Sequence, residues 1–162
     1  MSLSRNFAVV ASLALAVACQ SSGNQSTSEA ALDAVKAEIR AAADAAISGF
    51  NQGDATPYLD QLTDVQIYAE NLMIYPSPDS LRSAINQFMA SGMSVKMEWT
   101  GEPQVIALGA DLGVFSSTLR ETLTDSAGDA SVIEGAWTGV YKRIDGSWKI
   151  VAAHESTGAV DG

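Results

Sequence analysis

The chain has 162 residues and a formal net charge of −10, with one cysteine and one histidine. Such acidity argues against nucleic acid and against electrostatic binding to anionic lipid, since both need a basic surface. A single cysteine forbids an intramolecular disulfide, one histidine with one cysteine leaves no Cys/His metal cluster, and the glycine motifs that cradle phosphates or dinucleotides are missing, so no metal and no cofactor are expected.

Arg5 gives a short positive start, and the run from Phe7 to Ala18 carries no charge. It is too short to span a bilayer as a helix. The pattern is that of a secretory signal peptide over residues 1–18. Ala16-Val17-Ala18-Cys19 fits two processing routes that both cut before Cys19. One is the A-x-A site of ordinary signal peptidase; the other resembles a bacterial lipobox, in which the cysteine is acylated. A lone thiol is awkward in an oxidising compartment, so lipidation of Cys19 is the preferred reading. An acyl chain would hold the protein on the membrane without spanning it. With Gln20 and not aspartate after the cysteine, the lipobox resemblance implies an exported outer-membrane lipoprotein facing the periplasm of a Gram-negative bacterium. Residues 19–28 then form the lipidated cysteine and a small, polar, flexible tether.

Leu32, Val35, Ile39, Ala42, Ala46 and Phe50 recur at three- and four-residue steps and predict a helix of about six turns. Ser28 suits its N-cap, and Gly53 in "NQGD" suits a left-handed stop. Thr56-Pro57 restarts a short helix with Tyr58, Leu59 and Leu62 on its buried side. Val65 to Tyr75 reads as two short strands in a tight hairpin, broken by "AEN" at 69–71. Ser77-Pro78 opens a third helix whose core face is Leu81, Ala84, Ile85, Phe88 and Met89, ended by Gly92. Val95, Met97 and Trp99 alternate with polar residues, as in a half-buried strand. "GEP" at 101–103 bends the chain before Val105–Leu108, and strands follow at about 112–123, 131–144 and 147–156. Helices come early and strands late, so the fold class is α+β with helices on one face of a sheet.

The helix ending "FNQGD" (50–54) and the final "GVYKRIDGSWKIVAAHES" (139–156) resemble the nuclear transport factor 2 superfamily, particularly its SnoaL-like branch, over residues 29–157, with 158–162 left as a tail. The resemblance implies a cystatin-like α+β roll: a curved antiparallel sheet, covered by three helices from the N-terminal half, closes into a cone with a pocket inside. That superfamily includes steroid isomerases, polyketide cyclases, dehydratases, epoxide hydrolases and transport adaptors. Steroid isomerases carry a first-helix tyrosine where Ala46 stands and a carboxylic acid where Thr138 or Gly139 stands. Both are missing, and Glu70, in an expected turn, is the only acid near the position of their base. Their mechanism is therefore not carried over.

In the last hairpin, "IDGS" offers a two-residue Asp-Gly turn of type I′. An unbroken register from that turn sets Arg143 opposite Trp148, Tyr141 opposite Ile150, Gly139 opposite Ala152 and Trp137 opposite His154, and opposed residues share a face. The concave face would then carry Trp137, Tyr141, Arg143, Trp148, Ile150 and His154, while Glu155 points away. Gly139 would leave room for a ligand or a helix. The candidate pocket comprises Phe50, Tyr68, Tyr75, Trp99, Trp137, Tyr141 and His154. His154 is the candidate general acid or base, its ordinary pKa near 6.5 suiting proton transfer; a carboxylate from Glu121 or Glu134 would have to orient it. Three functions remain open. A lipid-anchored module binds a small, partly apolar ligand; this is the preferred one. The same pocket is an isomerase, dehydratase or hydrolase using His154. Or the domain is an interaction module, a homodimer through its sheet or a partner of an envelope protein, with a filled cone.

Overall fold

The computed structural model describes residues 28–70 and 73–159; the expected signal peptide, Cys19 and the expected tether up to Thr27 lie outside the described residues. Helix α1 spans Glu29–Asn51, and the Ser28 hydroxyl accepts the Ala31 N–H at 3.3 Å to cap it. Its buried stripe is Val35, Ile39, Ala43, Ala46 and Gly49, one residue offset from the expected stripe in its middle turns. Gly49 is required: a Cβ there would lie 2.5 Å from the Asp54 carbonyl oxygen. That clearance lets the chain fold back into the short helix α2, Thr56–Leu59. Strand β1 (Leu62–Glu70) pairs antiparallel with β2 (Met73–Tyr75). Helix α3, Pro78–Ala90, opens with a reciprocal capping box between Ser77 and Ser80.

The remaining strands are β3 (Ser94–Trp99), β4 (Gln104–Ala107), β5 (Leu112–Thr124), β6 (Ala130–Ile144) and β7 (Ser147–Ala159). The sheet runs β2-β1-β7-β6-β5-β3, and β4 pairs with the near end of β5. One long strand, β5, thus serves two short ones, because the Gly101–Pro103 bend separates β3 from β4. Strand β1 lies parallel to β7, a long-range pairing that brings the early hairpin against the chain's last strand.

Helix α1 crosses the concave face and is held by its own carboxylates. The indole Nε1 of Trp148 donates to Glu38 Oε2 at 2.8 Å, and that of Trp99 donates to Asp44 Oδ1 at 2.9 Å. Arg143 also donates to Glu38 and stacks its guanidinium over the Trp148 ring, 4.5 Å from the centroid. Near the helix end, Asn51 pairs through its amide with both backbone groups of Met97, occupying part of the free edge of β3 as a strand would.

Candidate functional site

The site is set by an irregularity in the last hairpin. Asp145 and Gly146 both take positive φ, 49° and 79°, so the turn is of the expected type and the register holds as far as Tyr141 opposite Ile150. There it slips: Val140 pairs with Ala152, Gly139 with Ala153, Thr138 with His154 and Trp137 with Glu155. Val151 is an extra residue on β7, a β-bulge that exchanges the faces of everything beyond it. Strand β1 has its own irregularity against β7, between Leu62 and Ile67.

The expected concave set is corrected accordingly. Trp137, Tyr141, Trp148 and Ile150 face inward and are buried. His154 is exposed and sits on the convex face opposite Thr138. Glu155 takes the inward place beside Trp137. Neither proposed orienting carboxylate serves the imidazole. Glu121 lines the interior, and Glu134 accepts from Arg120 at 2.5 Å on the outer face, where Arg120 also meets Glu98. The space left by Gly139 belongs to neither ligand nor helix: a Cβ there would lie 2.2 Å from Cη2 of the Trp137 indole, which lies across it.

The interior of the cone holds a cavity of about 360 Å³. Phe50, Tyr68, Tyr75, Trp99, Trp137 and Tyr141 all line it, and His154 does not. Helix α1 contributes Ala43, Ala46, Ile47 and Phe50, and α3 contributes Leu81, Ala84, Ile85 and Phe88. Aromatic rings pack against one another around the wall: Trp99 lies tilted on Phe115 with centroids 4.9 Å apart, and Trp137 meets Tyr141 edge to face at 6.2 Å, the latter a geometry that ring quadrupoles favour.

Three carboxyl groups interrupt this apolar wall: Glu70 at the end of β1, Glu121 on β5 and Glu155 on β7. Glu70 is the last residue of the strand and not a turn residue, and the Tyr75 hydroxyl donates to it at 3.2 Å. The Tyr68 hydroxyl donates to Glu155 at 3.0 Å. Burial, followed by the negative charge of Glu121, pushes the Glu155 carboxyl up to about 7. Burial, followed by Glu70, also raises Glu121. Burial raises the Tyr58 and Tyr68 hydroxyls as well, so they stay protonated and Tyr68 remains a donor. A carboxyl poised near neutrality beside a fixed hydroxyl can exchange a proton with a bound molecule or hold a positive group. Glu121 was named in sequence only as one of two candidate partners for His154, because the face of its strand was unknown, and Glu155 was turned outward by the unbroken register.

The family model described as the calcium/calmodulin dependent protein kinase II association domain matches residues 35–159. Among solved structures, a calcium/calmodulin dependent protein kinase II association domain protein from Xanthomonas campestris shares 21% identity, covering 75% of this chain and 86% of its own, with a TM-score of 0.62. A nuclear transport factor 2-like superfamily protein from Salmonella enterica serovar Typhimurium shares 17%, covering 80% and 95%, with a TM-score of 0.67. The hexachlorocyclohexane dehydrochlorinase LinA-type3 from Novosphingobium barchaimii shares 15%, covering 83% and 96%, with a TM-score of 0.66. At these identities the likeness establishes the fold. No curated protein matches the chain in sequence. With its helix-covered curved sheet and a match over most of its length, the chain belongs to the calcium/calmodulin dependent protein kinase II association domain family and has a nuclear transport factor 2-like α+β fold.

Proposed function

We propose that this domain is a binding module whose cone holds a small, partly apolar ligand, and that lipidated Cys19 and its tether present it to the periplasm from the outer membrane. The observation that carries the reading is the cavity: about 360 Å³, walled by aromatic and aliphatic side chains and interrupted by a few polar groups on one side. Ligand sites have this composition, and this volume is at the small end of their usual range of about 300–1,000 Å³. The supporting test is a thermal-shift screen of small metabolites and lipids, repeated on Ala84→Phe, which fills the cavity from α3. Ligands that stabilise the native chain are expected to lose their effect in the variant. A hit that stabilises both equally binds elsewhere and defeats the reading. Cys19→Ser is expected to release the protein from membranes, and unchanged association would defeat the anchor.

The catalytic alternative moves from His154 to Glu155. Its support is the Glu155 carboxyl held at about 7, with the Tyr68 hydroxyl 3.0 Å away, a pairing suited to general acid/base work near neutral pH. The fold also carries a dehydrochlorinase in another organism. In that case Glu155→Gln abolishes turnover of a screened substrate and leaves its binding intact. Turnover that survives Glu155→Gln removes this reading.

A further inference from the structure

Among the described residues that line it, the cavity has acids and no bases. Among the described residues, Glu70, Glu121 and Glu155 are the charged side chains that line it. The basic residues that could have neutralised them are engaged elsewhere. Arg120 pairs with Glu98 and Glu134 on the convex face, Arg143 binds Glu38, Arg40 binds Asp44, and Arg82 donates to the Leu59 and Leu62 carbonyls. Tyr75 and Tyr68 give Glu70 and Glu155 one hydrogen bond each, leaving acceptor capacity on both, since an ionised carboxylate has about four lone-pair sites. Glu121 has no hydrogen-bond or ion-pair partner among the described residues.

An unpaired carboxylate inside an apolar wall is costly, and the cost is offset by a bound positive charge. The wall itself favours the same sign: the faces of Trp99, Trp137 and Phe50 carry the negative side of the ring quadrupole, which attracts cations. A metal ion is a poor fit, because among the described residues no three acids converge closely enough to ligate one. An anion would be repelled, and the chain's net charge of −10 adds to that repulsion while drawing cations in.

Resting on the ligand-binding reading, we infer that the cone selects a small organic cation: an ammonium group on an apolar body, the charge set among Glu70, Glu121 and Glu155 and the body among the aromatic rings. The pH dependence follows from the groups that face Glu155. These are Glu121 from β5, Glu70 and Tyr68 from β1, Tyr75 from β2, Tyr58 from α2 and Tyr141 from β6, while α1 and α3 turn only apolar side chains into the cavity. No basic group stands among them, so a cation binds more tightly as pH rises through neutrality and Glu155 loses its proton.

The test uses the full chain and three probes, benzyltrimethylammonium, its uncharged isostere neopentylbenzene, and phenylacetate, read by tryptophan fluorescence and thermal shift. At about pH 8 the ammonium is expected to bind at least about tenfold more tightly than the isostere, the margin of one well-placed charge. Its affinity is expected to fall by about tenfold or more by about pH 5.5, as the Glu155 carboxyl takes up its proton. Glu121→Gln is expected to weaken the ammonium and not the isostere, with Glu155→Gln as a second variant if the first fails to fold. If the isostere or phenylacetate binds as tightly as the ammonium, or if ammonium binding does not change with pH, the cation inference is overturned and the pocket reading stands. If none of the three binds at millimolar concentration, the pocket reading falls and takes this inference with it.

Discussion

Near the Asp145-Gly146 turn, Val35 and Ile39 of α1 join one core with Phe115 and Ile150, and these residues are sealed, Ile39, Phe115 and Ile150 at 0% exposure. Further along the same helix and sheet, α1 presents Ala43 and Ala46, and the strands answer with Glu121 and Glu155 beside half-buried Trp99 and Met97. The difference comes from side-chain size along one helical stripe. Where the stripe is β-branched, helix and sheet interlock; where it narrows to alanine, the missing volume remains as a cavity. One end of the cone is packed solid and the other holds the cavity that the proposed function assigns to a ligand, and each should respond to mutation in its own way.

The largest contrast is expected from Ile39→Ala. Ile39 reaches over Gly113, where a Cβ would stand 2.5 Å from its Cδ1, so truncation opens a void that glycine cannot fill. A loss of about 3–4 kcal/mol is expected in denaturant unfolding, against little loss for Ala46→Ser at the open end. Next in size is a pH effect confined to the acid end. The Glu155 carboxyl is raised in the folded chain from 4.5 to about 7, so the folded state holds its proton more tightly than the unfolded state. Its stabilising contribution is complete below about 4.5 and is lost as pH rises through about 7. The unliganded protein should lose roughly 2–3 kcal/mol at most between about pH 5 and pH 8. Glu155→Gln should flatten that slope, and an unchanged slope would remove Glu155 as its source. Gly139→Ala follows: the added methyl displaces the Trp137 indole, costs about 1–3 kcal/mol and alters fluorescence and ligand binding together. The smallest expected effect is His154→Ala. The side chain is exposed on the convex face, so stability should stay within about 0.5 kcal/mol and ligand binding should not change.

That last prediction marks where sequence reading stopped. The helices were legible because their signals are local: Ser28 and the Ser77-Pro78 pair cap, Gly53 and Gly92 stop, and apolar spacing repeats every three or four residues. The Asp145-Gly146 turn was legible for the same reason, and it set the register correctly as far as Tyr141 opposite Ile150. Beyond it, "VAAHES" carries no alternation to hold a face. Val151, Ala152 and Ala153 are all apolar and fit either side of a sheet, so nothing local marks the extra residue at Val151, and no glycine or proline announces it. The parallel pairing of β1 with β7 was hidden too, since it joins residues more than eighty positions apart. Yet that pairing sets Glu70 beside Glu155 and makes the acid end. Six of the aromatics expected from strand and helix period, the last-turn register and the resemblance line the cavity; the acids depended on one bulge and one long-range strand pairing.

The account turns on which neighbour, His154 or Glu155, looks into the cone. Thiol labelling in a Cys19→Ser background measures this directly by comparing His154→Cys with Glu155→Cys. The thiol at 154 should react at the rate of an exposed cysteine, whatever ligand is present. The thiol at 155 should react slowly, and more slowly still once the cavity is filled. Equal rates, or a faster and unprotected reaction at 155, would contradict the face exchange at Val151 and the binding site built on it.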